Sequence, residues 1–257
     1  MKYKIKLLIL ITVFFTSITS AFSNEMNYVE IDQNQTIEPI KNEDSYESFN
    51  RTMFDFNMAF NDSIGKPVVN TYEFIFPKPI KTGFNNFFSN LGDPLSSLNS
   101  FLQGNVEDGL SSFMRFAINS TFGLFGLLDI ATPAGLDKIN EDFGQTLYTW
   151  GVWKEANYVV LPFLGPYTTR GLAGSSVDGY LNPIYPNIIN ANSEERVLLY
   201  LSDQFISYVK VMKIIDDLHN QPDPYIFARE SYLQYRVNLL YNGHPPEVDV
   251  LDDFDFE

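Results

Sequence analysis

The side chains best suited to catalysis in this sequence are few and widely separated. His219 and His244 are the two histidines of the chain. Residues 174–178 (GSSVD) partly resemble the turn that exposes a nucleophilic serine in hydrolases, but they lack its closing glycine and a preceding strand. His219 falls at a helix end, where a ring able to carry positive charge suits the helix dipole. His244 falls in a solvated loop, so a hydrolase remains the weaker alternative.

Metal and cofactor chemistry has no pattern to support it. The 257 residues contain no cysteine, which excludes disulfides, thiol nucleophiles, cysteine metal sites and a lipid attached through cysteine. The two histidines lack ligand spacing, and no glycine-rich phosphate loop is present. Acid pairs occur at 141–142, 194–195 and 216–217, where they are predicted to be solvated. The sequence predicts no enzyme, no metal and no cofactor.

The charge balance limits the partners of the chain. Its formal net charge is −15, and 16% of its residues are aromatic. Such an acidic chain repels phosphate backbones, so no nucleic acid is expected to bind. Contact with a membrane would have to be driven by burial of apolar side chains rather than by attraction to anionic lipid.

The ends of the chain differ in composition from its middle. Residues 1–23 combine three lysines, a short apolar stretch and small residues, and they predict a secretion signal cleaved after Ser23 or Ala21. Residues 24–44 form a polar leader, 45–244 the folded domain, and 245–257 an acidic, disordered tail. An uncleaved membrane anchor is the alternative for the first segment, although its twelve apolar residues are short for a span.

Helical periodicity dominates the middle of the chain. Apolar residues recur every three or four positions, and aspartate, serine and proline mark helix starts. Strand-like alternation is scarce, so the fold class predicted is all-α with short connections rich in proline and glycine. The predicted helices begin at the Asp44–Glu47 capping pair, at Asp93–Pro94, near residue 105, at Ser193 and at Asp223–Pro224.

Two apolar segments do not fit this helical pattern. Residues 120–136 are interrupted by three glycines and predict either a buried core turn or an amphipathic helix at a membrane interface. Residues 158–171 form a stiff connection, in which Pro162, Gly165 and Pro166 make a structural turn. Thr168 or Thr169 is expected to cap the helix that follows.

Several phrases together resemble the MlaA/VacJ family of outer-membrane phospholipid-asymmetry proteins. They occur in the family order and cover residues 45–244, so the resemblance is more specific than a single motif. The phrases are FNRTMFDFN (49–57), KPVVNTYEFIFPKPIKTGFNNFFSNLGDP (66–94), NSFLQG (99–104), RFAINSTFGLFGLLDIA (115–131), EDFGQTLYTWGV (141–152), VLPFLGPYTTRG (160–171) and DPYIFARESY (223–232).

The resemblance implies a ring-shaped bundle of amphipathic helices lying in the outer membrane, mainly in its inner leaflet. Such a protein would remove mislocalised phospholipids from the outer leaflet through a channel and pass them to a soluble periplasmic lipid carrier. Its partners would be phospholipid, that carrier and a trimeric outer-membrane porin. Many members begin with a lipidated cysteine, and the sequence lacks one.

The resemblance also implies roles for particular residues. Phe143, Gly144 and Leu147 would belong to a mobile hairpin that gates the lipid path, with Gly144 as its flexible point. Phe49, Phe56 and Phe60 would lie on the membrane-facing helix. Arg51, Arg115 and Arg170 would contact lipid phosphate, or would pair with acids such as Asp129 or Asp142 for structural reasons.

Polar residues on the helices complete the expectation. Asparagine and serine recur opposite the phenylalanines and leucines, where they would line a wet lane for the headgroup or form an ordinary solvent face. These residues are Asn85, Asn86, Ser89, Asn90, Ser96, Ser97, Asn99 and Ser100. Besides lipid transport, two other functions remain open: a surface protein involved in spread between host cells, and a lipid-acting hydrolase.

Overall fold

The structure is a computed structural model that describes residues 42–182 and 193–245. The predicted signal peptide, most of the polar leader and nearly all of the acidic tail lie outside these residues. The helices are α1 (Glu47–Phe60), α2 (Lys66–Ile75), α3 (Lys78–Leu102), α4 (Val106–Thr121), α5 (Phe143–Thr149), α6 (Thr169–Leu181), α7 (Ser193–Leu218) and α8 (Pro224–Leu240). A π-helical turn (Asn61–Gly65) joins α1 to α2, and a 3-10 turn covers Thr132–Ala134.

Three short strands form one small sheet beside the helices. They are β1 (Asn42–Glu43), β2 (Ala156–Leu161) and β3 (Gly165–Thr168). β1 runs parallel to β2, and β2 pairs antiparallel with β3 from Tyr158↔Thr168 to Leu161↔Gly165. The all-α class predicted from the sequence is confirmed for the architecture as a whole. The hairpin was missed because β2 is apolar on both faces, which hides its alternation.

The predicted turn residues lie at the tip and start of this hairpin. Pro162 follows β2, Gly165 begins β3 with a φ of 67°, and Pro166 pairs with Val160. Thr168 accepts a hydrogen bond from the Gly171 N–H at 3.0 Å and caps α6, as the sequence predicted. The segment is therefore a hairpin that feeds directly into a capped helix.

Helix starts were predicted with mixed success. Asp223 accepts from the Ile226 N–H at 3.1 Å and caps α8, with Pro224 in its first turn, as expected. The start at Asp93–Pro94 is wrong, because α3 runs through both residues without a break. The capping pair at Asp44 is also wrong, since α1 has no side-chain cap at its start. Both aspartates instead bind side chains from distant parts of the chain.

Helix α1 is attached to β2 through two asparagine side chains. The Asn50 amide donates to the Tyr158 carbonyl at 3.1 Å and accepts from the Val160 N–H at 2.8 Å. Seven residues further along the same face of α1, the Asn57 amide donates to the Leu161 carbonyl at 3.0 Å and accepts from the Phe163 N–H at 2.8 Å. Each side-chain amide thus makes the hydrogen bonds that a neighbouring strand would make with β2. Helix α1 in this way continues the pairing that β1 begins.

Helices α3 and α4 have mainly polar side chains at their buried positions, whereas α2 and α7 bury apolar ones. On α4 the buried positions include Ser112, Arg115 and Asn119, whereas a stripe of large apolar side chains is exposed. That stripe consists of Val106, Leu110, Phe113 and Met114. Helix α3 likewise buries Asn90, Asp93, Ser96, Ser97, Asn99 and Ser100. The alternative of an ordinary solvent face is wrong for these polar residues, because they point into the protein.

The membrane-facing residues predicted on α1 follow the same arrangement. Phe49 and Phe56 are exposed, whereas Phe60 is half-buried and packs edge-on against Phe163 with ring centres 5.4 Å apart. Among the residues described, no helix has the length and apolar character needed to cross a bilayer.

We expect Asn50→Ala to lower the free energy of unfolding by about 3 kcal/mol. The substitution leaves one N–H and one C=O of β2 buried without partners, and each such group costs about 1–3 kcal/mol. Thermal unfolding followed by circular dichroism in a mild detergent measures the effect. Asn70→Ala, at an exposed position of α2, is the matched control and should leave stability nearly unchanged. Equal stability of the two variants would contradict the bridging role of Asn50.

Candidate functional site

A large apolar groove opens between α2, α3, α7 and the loop after α4. Its volume is about 660 Å³, and none of the described residues that line it is charged. Phenylalanines dominate its walls, so it can hold hydrocarbon rather than a polar solute. The lining residues are Val68, Tyr72, Phe76, Phe84, Phe87, Phe88, Leu124, Phe125, Leu127, Leu198, Leu201, Ser202, Phe205 and Ile206.

The loop at the groove is neither the buried turn nor the amphipathic helix predicted for residues 120–136. Phe122 is 70% exposed and Phe125 is 80% exposed. Leu124 and Phe125 have φ angles of 54° and 60°, which side chains of this size rarely adopt. The Gly126 N–H holds the turn by donating to the Asn119 carbonyl at 2.9 Å. Backbone turns therefore present the apolar side chains directly at the groove.

A smaller polar chamber lies further along α3. Its volume is about 220 Å³. Its walls carry an ion pair between Asp142 of the α5 cap and Arg236 of α8, together with the buried Glu141. The acid pair at 141–142 is therefore not solvated as predicted. The chamber is lined by Gly92, Leu95, Ser96, Asn140, Glu141, Asp142, Gln145, Tyr167, Gly171, Ser175, Tyr232, Tyr235, Arg236 and Leu239.

Helix α3 connects the two cavities. Its Phe84, Phe87 and Phe88 line the apolar groove, and its Gly92 and Ser96 line the polar chamber. Along this helix the lining thus changes from three phenylalanines to Gly92, Leu95 and the polar Ser96. An amphipathic molecule could satisfy both of its halves along this wall.

Two buried carboxyl groups flank α5 without a cation bound to them in the described residues. Burial raises the pKa of Glu141 to about 7, although a hydrogen bond from Gln103 opposes the shift. Burial also raises the pKa of Asp178 to about 6, and this carboxyl accepts from the Phe143 N–H and from Asn99, both at 2.9 Å. The sequence carries no local signal for these positions, because the partners come from α3, α5 and α6.

The predicted hairpin residues lie on α5, next to the polar chamber. Phe143 packs edge-on against Trp150 with ring centres 5.7 Å apart, and Leu147 is half-buried. Gly144 is buried against α6: a Cβ on Gly174 would lie 2.3 Å from the Gly144 nitrogen. Asp142 and Gln145 form a capping box at the start of this helix. The structure thus gives Gly144 a role in close packing, and gating by this segment stays a prediction.

The three predicted phosphate-binding arginines have partners within the protein. Arg170 is 1% exposed and donates to the carbonyls of Trp153 and Lys154 at 3.2 and 2.6 Å. Arg115 pairs with Asp129 at 3.3 Å and with the hydroxyl of Thr132 at 2.9 Å.

Arg51 is also occupied: it donates to both carboxylate oxygens of Asp223, at 3.2 and 3.0 Å, and to Glu47 at 2.8 Å. The geometry of all three arginines favours the structural alternative. Asp142, named as a partner for them, instead binds Arg236.

The serine and histidine of the hydrolase alternative are engaged elsewhere. Ser175 donates to the Gly171 carbonyl at 2.9 Å within α6, and His219 lies 3.1 Å from Asp62 on the surface. In the described ranges, no three side chains among histidine, aspartate and glutamate are grouped to hold a metal ion.

Comparison with known proteins identifies the family. Residues 42–239 match the family of MlaA lipoproteins. The chain belongs to this family. The resemblance stated from the sequence phrases is thereby confirmed.

Named relatives agree with this assignment. The chain is 34% identical over 204 residues to the intermembrane phospholipid transport system lipoprotein MlaA of Escherichia coli K12, a match covering 78% of this chain and 79% of that protein. It is 32% identical over 232 residues to the protein of the same name from Haemophilus influenzae, covering 86% and 91% of the two chains.

A solved structure also matches. It is described as the structural basis for maintenance of bacterial outer membrane lipid asymmetry, and it shares 33% sequence identity with a TM-score of 0.65. The match covers 77% of this chain and 98% of that chain. The chain therefore has the fold of a MlaA protein.

We expect Gly174→Ala to destabilise the protein by about 1–3 kcal/mol, the usual cost of overpacking. The added methyl group would meet the backbone of Gly144 and push α5 away from α6. Gly179→Ala, on the same helix with no atom of residues 42–182 or 193–245 within 4 Å of its Cβ, should be neutral or stabilise by up to about 1 kcal/mol. Thermal unfolding of both variants checks this, and a melting temperature unchanged in Gly174→Ala would refute the contact.

The pKa of Glu141 predicts a stability that decreases with rising pH. The folded pKa is about 7, whereas the ordinary value is 4.5, so between these values the folded chain binds more protons than the unfolded chain. Stability should then fall as pH rises from 4.5 to 7. Glu141→Gln should unfold a few degrees above the unmodified protein at pH 8 and together with it near pH 4.5. Glu107→Gln, at an exposed position of α4, should show no such difference.

Proposed function

We propose that this chain is the outer-membrane component of a phospholipid transport system. In this role it removes mislocalised phospholipids from the outer leaflet and delivers them to a periplasmic lipid carrier, which maintains the lipid asymmetry of the outer membrane. The observation that carries the proposal is the pairing of outward apolar helix faces with an interior that changes from an apolar groove to a polar chamber. Membership of the MlaA family supports the same function.

The exposed apolar faces support a location in lipid. Large apolar surfaces on a protein usually mark contact with a partner or a membrane, and here they coincide with a polar interior on the same helices. We infer a ring of helices lying mainly in the inner leaflet of the outer membrane, held there by these side chains. A trimeric porin is the proposed neighbour within the membrane.

The two cavities support a path rather than a reaction. Moving a phospholipid out of a bilayer is costly, because each methylene group exposed to water costs about 0.8 kcal/mol. A path must therefore offer apolar walls to the acyl chains and polar groups to the headgroup. The groove supplies the first and the chamber supplies the second, so the proposed function requires no catalysed step.

Deletion of the gene should increase phospholipid in the outer leaflet and sensitivity to detergent with EDTA. The unmodified gene should restore both properties. A Leu110→Lys/Phe113→Lys double variant should fail to restore them, because it places two charges on the exposed apolar stripe of α4, and membranes washed with high salt should release it. Asp137→Lys/Asp217→Lys, at exposed polar positions outside α1 and α4, is the matched control. Unchanged surface phospholipid after deletion would rule out the proposed function.

A further inference from the structure

A lysine continues the groove-lining face of α7 beyond the groove. On α7, Ser202 and Ile206 line the groove. Lys210 follows Ile206 by four residues and Ser202 by eight, which places it on the same helical face one turn further on. Lys210 is half-buried and lies one turn beyond the last groove-lining residue of α7.

A second lysine, Lys138, binds to α3 near the groove and comes from another part of the chain. Lys138 donates to the Ser89 carbonyl at 2.8 Å and pairs with Asp93. Ser89 directly follows Phe88, which lines the groove, and a Cβ on Gly92 of the polar chamber would lie 3.7 Å from the Lys138 nitrogen. Lys138 therefore lies between the two cavities, and its charge acts on Lys210 through space.

The two lysines differ in how fully they are neutralised. Lys138 is paired with Asp93, which Arg115 also approaches at 3.7 Å. For Lys210, residues 42–182 and 193–245 supply no hydrogen bond or ion pair. Burial lowers its pKa; the carboxylate of Asp203 opposes that shift and the charge of Lys138 adds to it. A half-buried ammonium with open donors attracts an anion.

We propose that the groove binds one acyl chain of a phospholipid, with the lipid phosphate held by Lys210 next to Lys138. This inference rests on the proposed function and adds to it a location and a headgroup contact. The charge at the groove end complements the phosphate, and the phenylalanine walls complement the chain. Lys210, rather than any of the three arginines predicted from the sequence, is thus the phosphate-binding residue.

The size of the groove agrees with a single chain. A methylene group occupies roughly the volume of a water molecule, about 30 Å³, so a chain of about 16 carbons needs on the order of 500 Å³. The groove of about 660 Å³ holds one such chain but not two. The second chain would lie outside, against the exposed apolar side chains of the loop that contains Phe122 and Phe125.

The headgroup contact is tested with substitutions at Lys210. Purified mature protein in a non-ionic detergent is titrated with dioleoylphosphatidylglycerol, and bound lipid is counted by native mass spectrometry. Lys210→Gln should weaken binding about tenfold, because it removes one charge-assisted hydrogen bond to the phosphate. Lys210→Arg should retain binding. Lys213→Gln, at an exposed position of the same helix, should bind as the unmodified protein does.

The chain contact is tested separately at Ser202. Ser202→Trp fills the groove and should weaken lipid binding at least tenfold, whereas Ser202→Ala should not. Thermal unfolding of each variant confirms that it is folded. Inorganic phosphate at millimolar concentration should not displace the lipid; displacement would show a site for free phosphate and overturn the proposal.

The remaining outcomes separate this inference from the proposed function. If the unmodified protein binds phospholipid but Lys210→Gln binds equally well, the headgroup contact is refuted. The proposed transport function still stands in that case. If Ser202→Trp binds equally well, the groove is not the chain site. If the unmodified protein binds no phospholipid at all, the site and the proposed function both fail.

Discussion

A polar side chain that faces the interior of a protein is costly unless it is hydrogen-bonded there, and much of this structure follows from that requirement. Asn99 of α3 illustrates it, since it donates to Asp178 of α6 at 2.9 Å and accepts from Thr146 of α5 at 3.0 Å. One amide thereby positions three helices. Because the polar face of α4 is used inside, its apolar stripe faces outward. On α3 the polar positions are also buried, and its Phe88 and Leu91 pack in an apolar cluster beside the groove.

The same requirement explains how short elements are held in place. Helix α5 has only seven residues and would not be stable alone. It is fixed by a capping box, by the ion pair of its cap with Arg236, and by a glycine contact with α6 that leaves no space for a methyl group. Each restraint comes from a different element. The segment next to the polar chamber therefore depends on the packing around it rather than on its own helical propensity.

The sequence predicted local features well and the distribution of polarity poorly. Caps such as Thr168 and Asp223 were found because the side chain and the N–H that it accepts are three residues apart. The continuous course of α3 was missed because Asp93–Pro94 has the composition of a helix start. In the structure Asp93 forms ion pairs with Lys138 and Arg115 instead of capping a helix. Periodicity showed that the helices have two faces, but it cannot show which face is inside.

The candidate site could not be predicted from the sequence either, because the fold assembles it from separate segments. The groove collects residues from four separate segments, and the charge of Lys138 acts on Lys210 although the two residues are distant in sequence. The family phrases correctly indicated a MlaA protein, yet they directed attention to arginines that hold the fold together. Arg51 is an example: it lies in the first of these phrases and binds Asp223 in the last, so it joins the two ends of the domain.

The loop that carries Phe122 and Phe125 has one further consequence. Its left-handed backbone at Leu124 and Phe125 is fixed by hydrogen bonds to α4, so its aromatic side chains are already arranged before any lipid arrives. Ordering a flexible loop on binding would cost conformational entropy, and a preorganised loop avoids most of that cost. A hydrocarbon chain can therefore bind to this surface and leave it without the loop having to fold or unfold.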